Sequence, residues 1–505
     1  MDKVNEFEYG IEDNTSTRPS PSDAIRFDIE SNIHYRANSE EALLENDFKL
    51  LREMIQHHND RQVPRLVMLD NYTKAKNDGI YKDGSRRTED EKADYRVAHN
   101  LAKVVTVFDV GYNTGVAIKK QSSNDDVTNM ISTFDKNNDI DELESELWLD
   151  ISKYGRAYEL QYRTHDDEDR VDLSNVFETF VIYDTTIRRN PIGAVRYPKF
   201  SFGGKDEINV ILYTNTQIYE FKKTTLAAIK LIAEEGFPKV HNYKGVPLTE
   251  YTSDRFRQGA YEDVIPLIDL YDFAQSDTAN YMTDLNEAAL LIKGDIDSGK
   301  YTPADLIKMK KAGILLLENG INPDGSKSEV DANYIYKQYD VTGSEAYKDR
   351  IQSDFHKASF VPDLNDSSFS GQQTGEAMKY KILGFEQITS KRQRMFKKGL
   401  MARYRLLMNI KSSVKETVEN DDLKNLVITF TPNLPKAIKE ELAMLIDAGA
   451  EFSQETLLSL ASFVESADGE KERIKKEIIG VEPEKKILYK FPEQVEEGES
   501  IAQEQ

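Results

Sequence analysis

Cysteine is absent from this chain. That absence excludes disulfide staples, thiol nucleophiles and thiolate metal sites, and it is compatible with a reducing cytoplasm. Histidine is scarce: seven are scattered along the sequence. His57 and His58 are adjacent rather than four apart on a helix face, and no H-E-x-x-H occurs, so a histidine metal site is not expected. No apolar run approaches the ~18 residues a membrane-spanning helix needs. The opening MDKVNEFEYGIEDN lacks the basic-then-apolar order of a secretory leader. Gly204-Lys205 and Gly299-Lys300 are not followed by Ser or Thr, so neither completes a phosphate loop and no ATP-driven motor is expected within the chain. Basic residues are outnumbered, 66 Lys and Arg against 89 Asp and Glu, for a net charge of −23. A conventional DNA binder neutralises phosphates with Lys and Arg, and this balance disfavours one.

What is present points to several packed units, since 505 residues exceed the usual size of a single domain. A hydrophobic content of 39% supports real cores, while 31% charged residues argue for a soluble protein. Residues 1–38 are polar and include TSTRPSPS, which reads as a mobile arm. Ser39-Glu40-Glu41 opens a helix through Leu43, Leu44, Phe48, Leu51 and Ile55, with further helices to Lys76 and a polar turn at Asp78-Gly79 and Asp83-Gly84. Residues 95–118 combine a helix with an extended end at Gly115. From Asn175 to Lys223 the pattern turns to β. Residues 180–184, 194–200, 207–214 and 217–223 are β-branched and aromatic, and Gly203-Gly204 and Asn215-Thr216 supply turns, which predicts an antiparallel meander.

The stretch 241–294 is the most informative. It begins turn-rich and becomes a helix at Pro266, of roughly 24 residues or about 36 Å. Apolar positions recur at Leu267, Leu270, Tyr271, Ala274, Thr278, Tyr281, Met282, Leu285, Ala288 and Ala289. Another face carries Asp269, Asp272, Ser276, Asp277, Asn280, Asp284 and Glu287, and is expected to be the wet side. A small α/β unit follows. Thr302 caps a short helix with Pro303 at its start and Gly313 after its end, then come strands 314–318 and 333–339 around a Pro323-Asp324-Gly325 turn. A second long helix runs from about Ser344 to Lys357, with Tyr347, Ile351, Phe355 and Ala358 on one side. Pro362 ends it before the polar loop DLNDSSFSGQQT. A third helix, Gly375 to about Lys411, spans roughly 36 residues or about 54 Å, with Gly384 and Gly399 as candidate bends. It holds ten Lys or Arg against two acids, open to three readings: pairing with acidic surfaces of neighbouring subunits, phosphate contact, or solvation. Strand 426–430 leads to two helices opened by Asn433-Leu434-Pro435 and Ser453, then an acidic tail.

Three ordered motifs in this stretch resemble the portal (head-to-tail connector) proteins of long-tailed double-stranded-DNA bacteriophages. An H-x-Y/F-G-x-V-P motif reads here as His241–Pro247, R-x-G-x-Y/F-E as Arg257–Glu262, and L-I-D-x-Y…Q-S-D-x-x-N as Leu267–Asn280. A further block is met by Asn100, Lys103, Val105, Gly111, Tyr112, Gly115 and Ile118, with Ala117 where proline is usual. The loop-to-helix pattern is met by Pro362, Gly375 and Ala377, with Thr374 at the usual serine position. The resemblance covers about residues 65–480.

The resemblance implies an α+β multidomain portal fold in a cyclic oligomer, commonly of twelve subunits. Its parts would be an N-terminal arm (1–38), an α/β wing with antiparallel strands (39–260), stem helix 1 (261–291) and a small α/β clip (292–340). Stem helix 2 (341–358), a tunnel loop (359–374), a long helix with wing return (375–425), helical crown (426–485) and acidic tail (486–505) would follow. It implies a ring-shaped channel at one capsid vertex, in the virion and, during assembly, in the host bacterial cytoplasm. Double-stranded DNA would pass without sequence specificity, and an acidic balance suits a wall that must not hold it. Tunnel-loop residues Asn365, Asp366, Ser367, Ser368, Ser370, Gln372 and Gln373 would touch DNA weakly, and Lys348 and Lys357 are candidates for a basic ring. The clip, with Lys300, Lys308, Lys310, Lys311, Asn322, Asp324 and Lys327, would dock the terminase large subunit and then a head-completion or tail adaptor protein. Major capsid and scaffolding proteins are further partners; no cofactor, membrane or enzymatic activity is expected.

Two other classes stay open on the residues alone. Asp135-x-Asn137-x-Asp139-x-Asp141…Glu146 has the spacing of a calcium loop but carries Ile140 at the position that needs glycine; an acidic helix start is the plainer reading. The Asp166–Asp169 run reads as a solvated turn. A metal-dependent phage nuclease built on such acids, or a non-portal capsid or scaffold component, are the alternatives.

Overall fold

The computed structural model describes residues 28–81, 94–202, 205–284, 289–293, 302–311, 324–326, 331–335, 340–363, 375–413, 420–433, 471 and 473–475. The chain divides into one unit, 1–434, and a second, 435–505. The helices expected after Pro435, the acidic tail and residues 1–27 lie outside the described residues, apart from a few positions near 471–475.

The first unit opens with β1 (Tyr35–Arg36) and α1 (Glu41–His57), which continues through a π-helical turn, His58–Gln62, into α2 (Val63–Thr73). Then come α3 (Leu101–Thr114), β2 (Lys119–Gln121), α4 (Asp125–Asn137) and α5 (Ile140–Tyr154). Asn124 caps α4 by accepting from the Asp126 amide at 3.0 Å. Gly155 closes α5 at φ 73°, where an added Cβ would lie 2.2 Å from the Arg257 backbone, so only glycine fits.

Twelve strands in order then begin with β3 (Arg156–Arg163), β4 (Asp169–Ser174), β5 (Thr179–Tyr183) and β6 (Pro191–Arg196). They continue with β7 (Lys199–Phe202), β8 (Lys205–Ile208), β9 (Ile211–Thr214), β10 (Gln217–Glu220), β11 (Thr224–Thr225), β12 (Lys239–Val240) and β13 (Leu248–Thr252). The last of the twelve, β14 (Ala289–Lys293), follows helix α6 (Ile265–Asp284). Beyond it are α7 (Pro303–Lys311), β15 (Asp331–Ile335), α8 (Val341–Ser359), α9 (Gly375–Ser413) and β16 (Val427–Thr429).

The expected meander is there, as β5, β6, β9 and β10, antiparallel and adjacent in a six-stranded sheet ordered β1-β5-β6-β9-β10-β12. Its third strand is shorter than expected. Residues 207–214 split between β8, in a separate sheet with β7 and β11, and β9; the chain bends at Asn209, whose amide donates to the Pro198 carbonyl. Part of the expected N-terminal arm packs against the sheet. Residues 28–38 are docked: β1 pairs in parallel with β5, Tyr35 is buried, and the Arg257 guanidinium donates to the Asn32 and Ile33 carbonyls. Polar composition hid a segment that is anchored through its backbone.

A third sheet, β13-β3-β4, was not anticipated. Strand β3 reads as polar because it carries Arg156, Glu159 and Gln161, yet all three are buried. Glu159 accepts from Arg403 of α9 at 2.9 and 2.6 Å, and Arg403 also reaches Glu144 of α5 at 2.7 Å. Glu159, Arg403 and Glu144 can be inside only because each has a partner. Burial still pushes the Glu144 carboxyl above its usual range, against the opposing pull of Arg403 and Lys120. Around this network pack Trp148, Tyr251, Phe396, Leu400 and Tyr404. Gly399 seats the Tyr251 ring, since an added Cβ would meet it at 2.3 Å, and Gly384 likewise seats Phe360 at 2.7 Å. Helix α9 runs through both glycines as one element of 39 residues.

Candidate functional site

Helix α6 ends its described run at Asp284 after 20 residues, shorter than expected, and Ala289 belongs to a strand. Its faces also differ from expectation, although Asp277 is exposed as expected and Leu267, Tyr271 and Ala274 are half-buried. The polar face lies inside: Asp272 and Ser276 are 0% exposed and Asn280 only 4%, whereas Leu270 and Met282 face solvent. The reason is the partner. Residues 94–100 run extended alongside α6 and present backbone amides, which need acceptors rather than methyl groups. The Asn280 side chain accepts from the Tyr95 amide at 2.7 Å, Ser276 from Val97 at 2.9 Å, and Asp272 from His99 at 2.8 Å. Four helical residues advance about 6 Å and two extended residues about 6.6 Å, so every fourth side chain meets every second amide. Asp272 also accepts from His99 Nδ1 at 2.8 Å and Asn77 Nδ2 at 2.5 Å, and Asp269 from the Tyr72 hydroxyl at 2.8 Å.

Helix α8 packs on α6. Its buried stripe is Lys348, Ile351, Phe355 and Ser359, not the expected Tyr347 and Ala358, which are exposed. Ile351 and Phe355 are sealed from solvent, and Phe355 shares a core with Ile265, Ile268 and Phe385. Lys348 belongs to this stripe. Its amine is buried between the two helices, donating to Gln275 at 2.9 Å and pairing with Glu345, so it is committed to helix packing. Lys357 is exposed and lies 3.8 Å from Asp354, which also binds Arg350 at 2.9 Å. The exposed charges of α8 thus largely cancel one another along the helix.

At the end of α8, Phe360 takes the left-handed conformation, φ 59°. His356 Nδ1 donates to the Val361 carbonyl at 3.0 Å, and its other nitrogen lies 3.9 Å from Asp363. A cavity of about 560 Å³ opens here, lined by Gln352, Ser353, His356, Lys357, Pro362 and Asp363 among others. The loop residues Asn365, Asp366, Ser367, Ser368, Ser370, Gln372 and Gln373 lie just beyond, outside the described residues.

Between α6 and α8 sits the insertion. Thr302 caps α7 as expected: its hydroxyl accepts from the Asp305 amide at 3.3 Å while the Asp305 carboxylate accepts from the Thr302 amide at 3.1 Å. Strands β14 and β15 pair antiparallel from Ala289↔Ile335 to Lys293↔Asp331, which brings the two ends of the insertion together. Lys308 and Asp324 are exposed. The backbones of Lys310 and Lys311 are in α7, while Lys300, Asn322, Lys327 and strand 314–318 fall outside the described residues.

Four of the ten basic residues of α9 pair with acids within the same chain. Arg392 binds the buried Asp109 at 3.0 Å, Arg403 binds Glu144 and Glu159, Lys391 lies 3.6 Å from Asp254 and Lys411 3.3 Å from Asp169. The calcium-like spacing is not a loop: Asp135 and Asn137 end α4, Asp139 is left-handed between helices, and Asp141 and Glu146 lie on α5. The Asp166–Asp169 run is the turn between β3 and β4, with Glu168 paired to Arg170 at 2.6 Å. Among the described residues no group of three acidic or histidine side chains is placed to hold a metal, and no helix is long and apolar enough to cross a membrane.

Helices α6 and α8 thus bracket an insertion tied at its base, and buried polar groups of α6 hold the backbone of residues 95–99. Residues 52–484 match the family described as phage portal protein, SPP1 Gp6-like, and the chain belongs to that family. Two solved structures are similar in part, the neck of a native GTA particle computed with C12 symmetry and the neck of an empty GTA particle computed with C6 symmetry. Each has 12% identity and a TM-score of 0.37, over 78% of this chain and 93% of the other. No curated protein matches the sequence significantly.

Proposed function

We propose that copies of this chain close into a ring at one capsid vertex, probing no sequence, through which double-stranded DNA enters during packaging and leaves at ejection. The family match over residues 52–484 carries this reading. In it, α6 and α8 frame the channel, and the loop after Asp363 narrows it. The mutual cancellation of Arg350, Asp354 and Lys357 on α8 suits a wall that DNA slides past, because each uncompensated cation would capture a phosphate. The insertion 289–335 serves as the clip, docking a terminase large subunit during filling and an adaptor protein afterwards.

Negative-stain imaging of the purified protein tests the ring directly; material that stays monomeric under all assembly conditions refutes it. Replacing Ser367, Ser368, Gln372 and Gln373 with lysine should leave rings intact and impair packaging, and normal packaging would remove the loop from the mechanism. Deleting residues 295–330 should abolish terminase or adaptor binding with the sheets unharmed; retained binding counts against the clip.

A further inference from the structure

The turn between β5 and β6 carries the most exposed large apolar side chain among the described residues, Ile187, at 104%. It is not a slack loop. The Asp184 carboxylate accepts from the Thr186 hydroxyl at 2.7 Å and from the Asn190 amide at 3.0 Å, and its other oxygen accepts from the Asn190 side chain at 2.8 Å. The acid of the turn is thereby consumed within it. The tip displays Ile187, Arg188 and Arg189, and neither guanidinium has a carboxylate partner among the described residues. In a chain of net charge −23, a fixed isoleucine flanked by two unpaired arginines is a knob without an intramolecular role.

A complementary hollow lies elsewhere on the same unit. A cavity of about 540 Å³ is bounded by α4, α5 and the entry to β2. Its floor is Ile118, Ile131 and Ile140, all buried. Its rim carries Asp139, Asp141 and Glu142, exposed and without an ion pair among the described residues. These acids complement the positive start of α5, but their outer faces remain available. Lys136 is the one opposing exposed charge on the rim; Lys120 is already paired with Asp135 at 3.2 Å and Glu144 at 2.9 Å. None of residues 187–189 lines the hollow. The knob is rooted in the core around Phe180 and Val195, the hollow in the core around Trp148.

We infer that the knob Ile187–Arg188–Arg189 of one copy seats in the Ile118/Ile131/Ile140 hollow of the next, an inference that rests on the ring reading and deepens it. The chemistry matches point for point, an apolar tip on an apolar floor and two guanidiniums on three carboxylates. Copies this acidic repel one another at long range, so a contact that brings unpaired bases to unpaired acids is favoured. Knob and hollow are different surfaces, so the contact is head-to-tail, the type that generates a closed ring when the rotation closes. A duplex could also take the arginines, but it offers no pocket for the isoleucine.

The absence of cysteine gives a clean test on the full chain. The pair Arg188→Cys and Asp141→Cys should form, on mild oxidation, a reducible ladder of covalent multimers up to the ring number. A control pair, Arg188→Cys with Lys230→Cys, should give at least tenfold less. Rings seen by negative stain without the ladder overturn the contact and leave the ring reading standing. Protein that never assembles overturns both. Charge reversal supplies a second measurement. Arg188→Glu with Arg189→Glu, or Asp141→Lys with Glu142→Lys, should each lower ring yield at least tenfold, and combining all four should restore it. Folded variants whose combination does not recover assembly overturn the contact, as does normal assembly with loss of DNA retention alone.

Discussion

Replacing Asp272 with alanine should uncouple residues 94–100 from α6. Asp272 is fully buried and accepts from three donors, the His99 amide, His99 Nδ1 and Asn77 Nδ2. Each buried donor left without a partner costs about 1–3 kcal/mol. The His99 ring is 27% exposed, so water recovers part of that loss, and a net destabilisation of about 3–5 kcal/mol is expected. Leu270→Ala, on the exposed side of the same helix, is the control and should cost under about 1 kcal/mol. Denaturant unfolding gives the energies, and amide exchange gives the location. The amides of Tyr95, Val97 and His99 should lose protection together in Asp272→Ala, while strands β5 and β6 keep theirs. If exchange at those three amides is unchanged, or if the alanine variant costs no more than the control, the side-chain ladder does not hold this segment.

Three more outcomes follow from the same packing. Arg403→Leu strands the buried carboxylate of Glu159 and leaves Glu144 with Lys120 alone and should cost about 3–5 kcal/mol by urea unfolding; adding Glu159→Gln should recover most of it. Gly399→Ala decides between two roles by its sign. Relief of a flexible helix position would stabilise by up to about 1 kcal/mol, whereas a collision with the Tyr251 ring at 2.3 Å should destabilise by about 1–3 kcal/mol. His34 is pushed down to about 4 by burial and by the nearby Arg257. Its stabilising contribution is complete above its ordinary value of 6.5 and is lost as pH falls toward 4, because only the unfolded chain then takes up the proton. His34→Gln should remove on the order of 3 kcal/mol of pH-dependent stability over this range; an unchanged pH profile of stability would refute it.

The β meander, the capped helix after Thr302 and the three long helices were legible in the sequence, because their signals are local: alternation, turn residues, a hydroxyl before a proline. The face assignment of α6 was not. Amphipathic reading equates polar with wet, and it fails where the packed neighbour is bare backbone, as with Asp272, Ser276 and Asn280. Strand β3 failed for a related reason, since Glu159 and its partner Arg403 are separated by 244 positions and no local pattern announces that they neutralise each other. Lys348 looked available on charge alone; its burial depends on where Gln275 of another helix falls. The ordered motifs around 241–280 identified the family, yet the residues that would touch DNA, 365–373, carry no structural signature in the sequence beyond polarity.

The short ladder of β14 and β15 has one more consequence. Five residue pairs fasten the insertion at its neck, so the phase with which α6 leaves and α8 returns is set there. Loop length beyond such a clasp is thermodynamically cheap, since each doubling costs only about 0.6 kcal/mol. Changes of length beyond the clasp therefore need not disturb the pairing of β14 with β15.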